Sequence, residues 1–358
     1  MNFGLDIRWK SLGHETGEID PVFFTLLKAI RATGSLRAAS ENTNISYRHA
    51  WGLVQYWSSN ISKPVVTLTK GRGAKLTDVG EKLLWAEQLV ISRLSPELNN
   101  LAIEINNELG MLIDINRKHD NLRINASHGL AIAHLQTLLS ESKVFDVDFH
   151  FRGSLEGLRE LANSRCDIAG FHFPDGNISA ELSPLYLQWL SEDRHLLLHV
   201  STRQQGLMTA RKNPRKITGL KSLAKRSVRF VNRQPESGTR IILDELIRQE
   251  GINKSAIKGY HDEEFTHIAV AAVVASGAAD AGFGIMAAAS KFDLHFIPVI
   301  SETYVLAVDR NIADIAIVEL KNILKSRKFR NKVNTLAGYD IKQAGEEIRF
   351  EDLFGNKS

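Results

Sequence analysis

The 358-residue chain exceeds what one ordinary hydrophobic core serves, so two or three folding units are expected. Its 43% hydrophobic and 24% charged content excludes a disordered or fibrous chain, and a net charge of +4 is too small to identify a nucleic-acid binder by itself. The single cysteine, Cys166, excludes a disulfide framework or a cysteine-based zinc site and agrees with a reducing cytosol. Residues 1–8 carry no apolar stretch or cleavage site of a secretory leader. The longest apolar run, 268–281, is well short of the ~20 residues that span a bilayer. A soluble cytoplasmic protein without a membrane partner is the expectation.

In chain order, Asp20 followed by Pro21 is a helix start, and Val22, Phe23, Leu26, Leu27 and Ile30 recur at helical spacing until Gly34. Ser35 caps a second helix over 36–42, where Ala38, Ala39 and Ser40 allow close packing. Asn44 and Ile45 fill a tight turn, and Ser46 caps a third helix through Tyr47, Trp51, Val54 and Trp57. Ala50, Trp51 and Trp57 are expected to face inward. This order describes a helix-turn-helix. The β-branched run 65–69, the basic loop Lys70-Gly71-Arg72-Gly73-Ala74-Lys75 and a new helix start at Thr77-Asp78 add a β-wing. Between Asn42 and Thr77 no acidic residue occurs, whereas Arg48, Lys63, Lys70, Arg72 and Lys75 are cationic. The mild overall charge hides a locally basic face.

From Thr77 to about Glu108 one long helical pattern carries Leu83, Leu84, Leu89, Val90, Leu94, Leu98, Leu101 and Ile105, with a bend expected at Pro96. Its apolar positions exceed what one small domain covers, so a linker helix pairing with its copy in a homodimer or homotetramer is the natural reading. From about residue 121 strands alternate with helices: 122–126 then 130–140, 147–151 then 155–163, the strands 167–171, 195–200 and 228–232, and the helix 241–250. This is α/β texture, with ligand loops at the carboxyl ends of strands.

The segment Thr33-Gly34-Ser35-Leu36-Arg37-Ala38-Ala39, followed by Ile45-Ser46-Tyr47-Arg48-His49-Ala50-Trp51, the basic wing and Leu76-Thr77-Asp78-Val79-Gly80, resembles the N-terminal domain of ModE-type molybdate regulators. It is also similar to LysR-type regulators. Residues from about 120 onward resemble the periplasmic-binding-protein-like domain fused to such regulators and to some molybdenum-cofactor proteins. The motifs that carry this are Cys166-Asp167-Ile168-Ala169-Gly170-Phe171-His172, Arg203-Gln204-Gln205-Gly206-Leu207, Asn213-Pro214, Arg233-Gln234-Pro235-Glu236-Ser237-Gly238-Thr239-Arg240 and Ala275-Ser276-Gly277-Ala278-Ala279-Asp280-Ala281-Gly282. The small oxyanion-binding barrels usual at the C-terminus of ModE-type proteins are not recognisable here.

The resemblance implies a multidomain chain. A helix-rich winged helix-turn-helix would occupy 1–80 and a linker or dimerisation helix 81–118. A two-lobed α/β domain of the type II periplasmic-binding-protein class would follow over 119–358. Its first lobe would take 119–198 and 299–358, its second 199–298.

For double-stranded DNA, the exposed polar residues of the second and third helices are the candidates: Ser35, Arg37, Ser46, Tyr47, Arg48, His49 and Gln55. Lys70, Arg72 and Lys75 of the wing suit phosphate. The plainer alternative is a solvated basic hairpin. For a ligand, Ser127-His128-Gly129, Arg152-Gly153-Ser154 and Ser237-Gly238-Thr239 each place backbone N–H groups and a hydroxyl at a helix start, and Thr266 supplies a fourth. Arg233 and Arg240 add charge, and His172 stands in its own motif. Each loop alone reads as an ordinary helix cap, and their recurrence is what points to an anion.

No Ser/His/Asp arrangement, Walker loop or metal-ligand spacing is present, so no enzyme, cofactor or metal is expected. The resulting reading is a ligand-responsive transcription regulator sensing a small anion, either a molybdate- or tungstate-type oxyanion or a small carboxylate such as formate. The alternative is a cytosolic molybdenum-cofactor-related or substrate-binding module whose helical domain contacts protein rather than DNA.

Overall fold

The computed structural model describes residues 3–11, 17–69, 73–113, 121–142, 144–235 and 237–355. They fall into two compact units, one over residues 5–95 and one over 96–358 together with the first four residues.

The first unit opens with a two-stranded antiparallel hairpin, β1 (Trp9–Ser11) and β2 (Gly17–Ile19), which the sequence pattern did not announce. Three helices follow: α1 (Pro21–Thr33), α2 (Leu36–Asn42) and α3 (Tyr47–Asn60). Their ends are set by local chemistry. The Asp20 carboxylate accepts from the Val22 N–H, Gly34 closes α1 in the left-handed conformation, and Ser35 and Ser46 cap the next two helices. Phe23, Leu26, Leu27, Ala39, Ala50, Val54 and Trp57 form the shared core.

Trp51 does not join that core. It is 47% exposed, because Ala50, Val54 and Trp57 recur at spacings of four and three, and a side chain one position after Ala50 points about 100° away. The hairpin β3 (Val66–Thr69) and β4 (Gly73–Leu76) completes the unit. At its turn the Ala74 N–H donates to the Gly34 carbonyl at 2.7 Å, and Gly73 has a φ of +90°. A Cβ at Gly73 would collide with that carbonyl, so glycine alone lets the hairpin start this close to α1. Lys70 and Arg72 lie outside the described residues.

α4 (Asp78–Ile113) is unbroken in secondary structure through Pro96. The second unit then alternates β5 (Asn121–Ala126), α5 (Leu130–Glu141), β6 (Asp146–Phe151), α6 (Ser154–Ala162), β7 (Ile168–Pro174), α7 (Ile178–Leu187) and β8 (His195–Thr209). It continues with β9 (Phe230–Arg233), α8 (Gly238–Gln249), β10 (Glu263–Glu264), α9 (His267–Ala275), β11 (Ala281–Ile285), α10 (Met286–Lys291) and β12 (His295–Asp309). The last elements are α11 (Asp314–Lys325), α12 (Arg327–Val333), β13 (Tyr339–Asp340), β14 (Glu347–Ile348) and α13 (Phe350–Phe354).

One sheet runs β10-β9-β11-β8-β12-β7-β5-β6. Its centre is the antiparallel pair β8 and β12, each 15 residues long, or roughly 50 Å at about 3.3 Å per residue. The sequence pattern announced only the first six residues of β8. Residues 302–308 of β12 pair with β7, whereas 205–209 of β8 pair with β11, so the sheet passes from one lobe to the other between these points. Each lobe buries two apolar layers, one on either face of its half of the sheet. The strands β5, β6, β7, β9 and β11 all aim their carboxyl ends at this crossover.

Candidate functional site

The first unit presents an exposed stripe on α3. Tyr47, Arg48, His49, Trp51 and Gln55 are solvent-exposed, with Tyr47 at 50%. Ser46 is engaged as the cap, accepting from the His49 N–H at 3.1 Å, and Ser35 caps α2. Arg37 and Lys75 are exposed, Lys75 on the outer face of β4. Trp51 is the member that helix-face reasoning placed wrongly. Its exposure beside Arg48 adds a flat apolar surface to the stripe.

In the second unit, four helix N-termini meet at the crossover of the sheet. The α5 and α6 N-termini come from the first lobe. A Cβ on Gly129 would lie 3.4 Å from Arg203 Nη1 and 3.9 Å from His172 Nε2, which puts the α5 start against β8 and β7. The α8 N-terminus comes from the second lobe, and a Cβ on Gly238 would lie 3.1 Å from Ser154 Oγ. Glycine at 238 thus permits the α8 start to come close to the α6 start. Thr239 Oγ1 stands 3.5 Å from His267 Nε2, which brings in the start of α9.

Between these helix starts lies a buried polar cluster. Arg203, 1% exposed, donates Nε to Glu302, 0% exposed, at 2.5 Å, and this cross-strand pair sits where the sheet changes lobe. Arg203 also reaches His267 Nε2 at 3.2 Å and the Tyr339 hydroxyl at 3.4 Å. Because a guanidinium only donates, His267 Nε2 must be the bare nitrogen. Arg233 donates to neutral partners, the Gln234 side-chain oxygen at 3.1 Å and the Phe265 carbonyl at 2.9 Å.

The electrostatics follow from burial. Burial opposes the Arg203 charge, but Glu302 and Tyr339 more than offset it and hold the guanidinium above its ordinary value. Burial, with the Arg203 charge added, pushes Arg233 down to about 9. Three histidines are driven neutral by burial and then by the arginines: His128 falls to about 4, and His172 and His267 well below their usual range. Glu302 is the carboxylate whose charge reaches both arginines. A buried cation without full compensation is costly, and an anion among these donors relieves it.

The predicted ligand residues divide. Ser127, His128, Gly129, Ser154, His172, Arg233, Gly238 and Thr239 come together with this cluster. The hydroxyls already have protein partners: Ser127 Oγ contacts His172 Nδ1 at 2.9 Å, Ser154 Oγ accepts from the His172 N–H at 3.4 Å, and Gln205 donates to Thr239 Oγ1 at 3.2 Å. Ser237 and Thr266 are spent as helix caps, accepting from the Arg240 and Ala269 N–H groups. Gly153 caps α6, and its N–H donates to Glu156.

Two arginines stand apart from the cluster. Arg152 is exposed and pairs with Glu156 at 3.5 Å, while Arg240 is held by Asp244, Glu263 and the Arg233 carbonyl. Glu236 lies outside the described residues.

Sequence reasoning missed Arg203, Gln205, His267, Glu302 and Tyr304. The one available signal was a charged residue inside Arg203-Gln204-Gln205-Gly206-Leu207, since an arginine in the middle of a buried strand needs a buried partner. The Ser127–His172 contact does not form a nucleophilic triad. It uses Nδ1, and His172 Nε2 has no hydrogen-bond partner. Among the described residues no group of side chains could hold a metal ion, and no described helix is long and apolar enough to cross a membrane.

The fold is an α/β domain built on two long strands that pass between its lobes. Residues 136–325 match the PBP superfamily domain, and the chain belongs to that family. It is 32% identical over 215 residues to the uncharacterised protein YvgK of Bacillus subtilis (strain 168), covering 60% of this chain and 68% of that one. The molybdenum-pterin-binding protein MopB of Rhodobacter capsulatus is 36% identical over 85 residues, 23% of this chain and 32% of MopB. Among solved structures, the LysR family transcriptional regulator VV2_1132 superposes with a TM-score of 0.40 at 12% identity, over 86% of this chain and 99% of that one. That likeness is too distant to carry function.

Proposed function

We propose that this chain is a cytoplasmic, DNA-binding regulator whose cleft closes on a small anion. The observation that carries the anion reading is the pair of buried arginines facing one buried carboxylate where four helix N-termini meet. The effector class is a molybdate- or tungstate-type oxyanion or a small carboxylate such as formate. The likeness to MopB, named for molybdenum-pterin binding, supports the oxyanion. The first unit is read as a winged helix-turn-helix with α3 in the major groove. The exposed stripe on α4, Ile91, Leu94, Leu101 and Ile105, spaced by three, seven and four, suits pairing of two copies.

Titration calorimetry with molybdate, tungstate, sulfate and formate tests the cleft. Micromolar or tighter binding of at least one is expected, and replacing Arg233 by Met should weaken it at least a hundredfold, since a charge-assisted pair is lost. No heat with any member of the panel refutes the anion reading.

For DNA, Arg48→Ala should cost roughly 1–3 kcal/mol on the true site and little on random duplex if Arg48 reads a guanine edge. Lys75→Ala should weaken both alike and reduce the salt slope by about one unit. Equal losses for Arg48→Ala on both duplexes would make it a phosphate contact. A protein that shifts no duplex at low salt would favour the protein-contacting module, for which the exposed Tyr47, Trp51 and Tyr56 are suited.

A further inference from the structure

We propose that a hydrogen is shared between His172 Nε2 and the bound anion, so the cleft selects anions that bring a proton or bind together with one. This rests on the reading of the cleft as an anion site. One tautomer of His172 satisfies every contact around Ser127. The Tyr304 hydroxyl donates its hydrogen to the Ser127 carbonyl at 2.9 Å, and Ser127 Oγ donates its own to the Tyr304 oxygen at 3.3 Å. With that hydrogen used, Ser127 Oγ can only accept from His172 Nδ1, 2.9 Å away. In that tautomer, the one that keeps all three hydrogen bonds, the imidazole proton sits on Nδ1 and Nε2 is a bare lone pair.

That lone pair is buried and has no hydrogen-bond partner, on a side chain only 3% exposed. It flanks the α5 N-terminus together with Arg203 Nη1. A fully ionised oxygen set against it would place two acceptors face to face. An O–H on the ligand, or a proton taken up by the imidazole, turns this clash into a hydrogen bond.

The groups that act on His172 come from every neighbouring element. Arg203 lies on β8, Arg233 on β9, His128 in the loop after β5, His267 at the start of α9, and Tyr304 on β12 with its ring 4.3 Å away. Burial first, and then the two arginines, keep the imidazole neutral. An anion among them acts in the opposite direction. His267 is not the acceptor of this proton, because its bare nitrogen already accepts from Arg203.

Calorimetry of the full chain with molybdate, in buffers of different ionisation heat between pH 6 and 8, tests this. Molybdate carries no proton at neutral pH, so binding should take up close to one proton per anion, and affinity should fall about tenfold per pH unit. Inorganic phosphate, which arrives as hydrogenphosphate at pH 8, should bind there with little uptake. Sulfate, of similar shape but a far weaker base, should bind at least tenfold more weakly than molybdate if the anion holds the proton, and with the same uptake if the imidazole holds it.

In the His172→Gln variant a permanent N–H replaces the lone pair, and the molybdate uptake should vanish while binding persists. His128→Gln should leave the uptake intact. Molybdate binding without proton uptake in the wild type, or uptake unchanged in His172→Gln, overturns the proposal. Absence of binding by all three anions overturns the anion reading beneath it.

Discussion

Replacing Arg203 by Met should cost about 3–5 kcal/mol of stability, because it leaves the Glu302 carboxylate, 0% exposed, without its partner in the middle of the sheet. The loss is read as a shift of the urea midpoint at pH 7.5. Glu302→Gln should cost a similar amount, since it leaves two buried guanidiniums facing no full negative charge. The double variant Arg203→Met/Glu302→Leu should recover most of the stability, because removing both charges removes the desolvation of each. It should not recover anion binding. Stability and ligand affinity thus separate: the ion pair is structurally replaceable, but the guanidinium is not replaceable as a donor. An Arg203→Met protein within 1 kcal/mol of wild type would show that the pair is not buried in the folded protein.

Acid should destabilise the protein well before its carboxylates titrate. In the fold His128, His172 and His267 are held neutral, and in the unfolded chain each titrates near its ordinary 6.5. Below that pH the unfolded state binds protons the folded state refuses, so stability is complete above about 6.5 and falls as pH drops. Each histidine contributes about 1.4 kcal/mol per pH unit, so the three together give a slope approaching 4 kcal/mol per unit. His128 ceases to contribute at about 4, where it titrates in the folded protein as well. His195 and His199, also lowered chiefly by burial, add in the same direction.

Asp280 and Asp309 act in a separate window. Hydrogen bonds from Arg229 and Arg215 to Asp280, and from the Asn311 N–H and Arg194 to Asp309, outweigh burial and hold their pKa values below the usual 3.8. Their contribution is therefore complete above that value and is lost only below it. Urea midpoints measured from pH 8 to pH 5 should be flat to about 7 and then fall steeply. Equal midpoints at pH 5 and 7.5 would refute a neutral buried histidine cluster.

The parts of this molecule legible from sequence are those governed by local chemistry. Asp20 and Pro21, Gly34, Ser35 and Ser46 set helix ends through bonds that span two to four residues, and the observed helices start and stop where those residues stand. The serine- and glycine-bearing loops after β5, β6 and β9 were legible for the same reason, since a helix start advertises its cap. Trp51 was misread because a single step along a helix turns a side chain through about 100°, and composition does not say which side of a face boundary it falls.

What only the tertiary structure decided is the chemistry of the buried polar cluster. Arg203 and Glu302 are 99 residues apart in sequence, and Ser127 and Tyr304 are 177 apart, on strands brought into register by the long β8–β12 pair. Strand period alone cannot say that a mid-strand arginine faces a carboxylate rather than solvent, because both faces are buried along β8 and along residues 302–309 of β12, where the usual alternation is absent. For the same reason Arg152 and Arg240, which look equivalent to Arg233 in sequence, meet carboxylates of their own outside the cluster. Arg233 meets neutral groups, and which of the three retains an unsatisfied charge is settled by where each strand and helix ends in space.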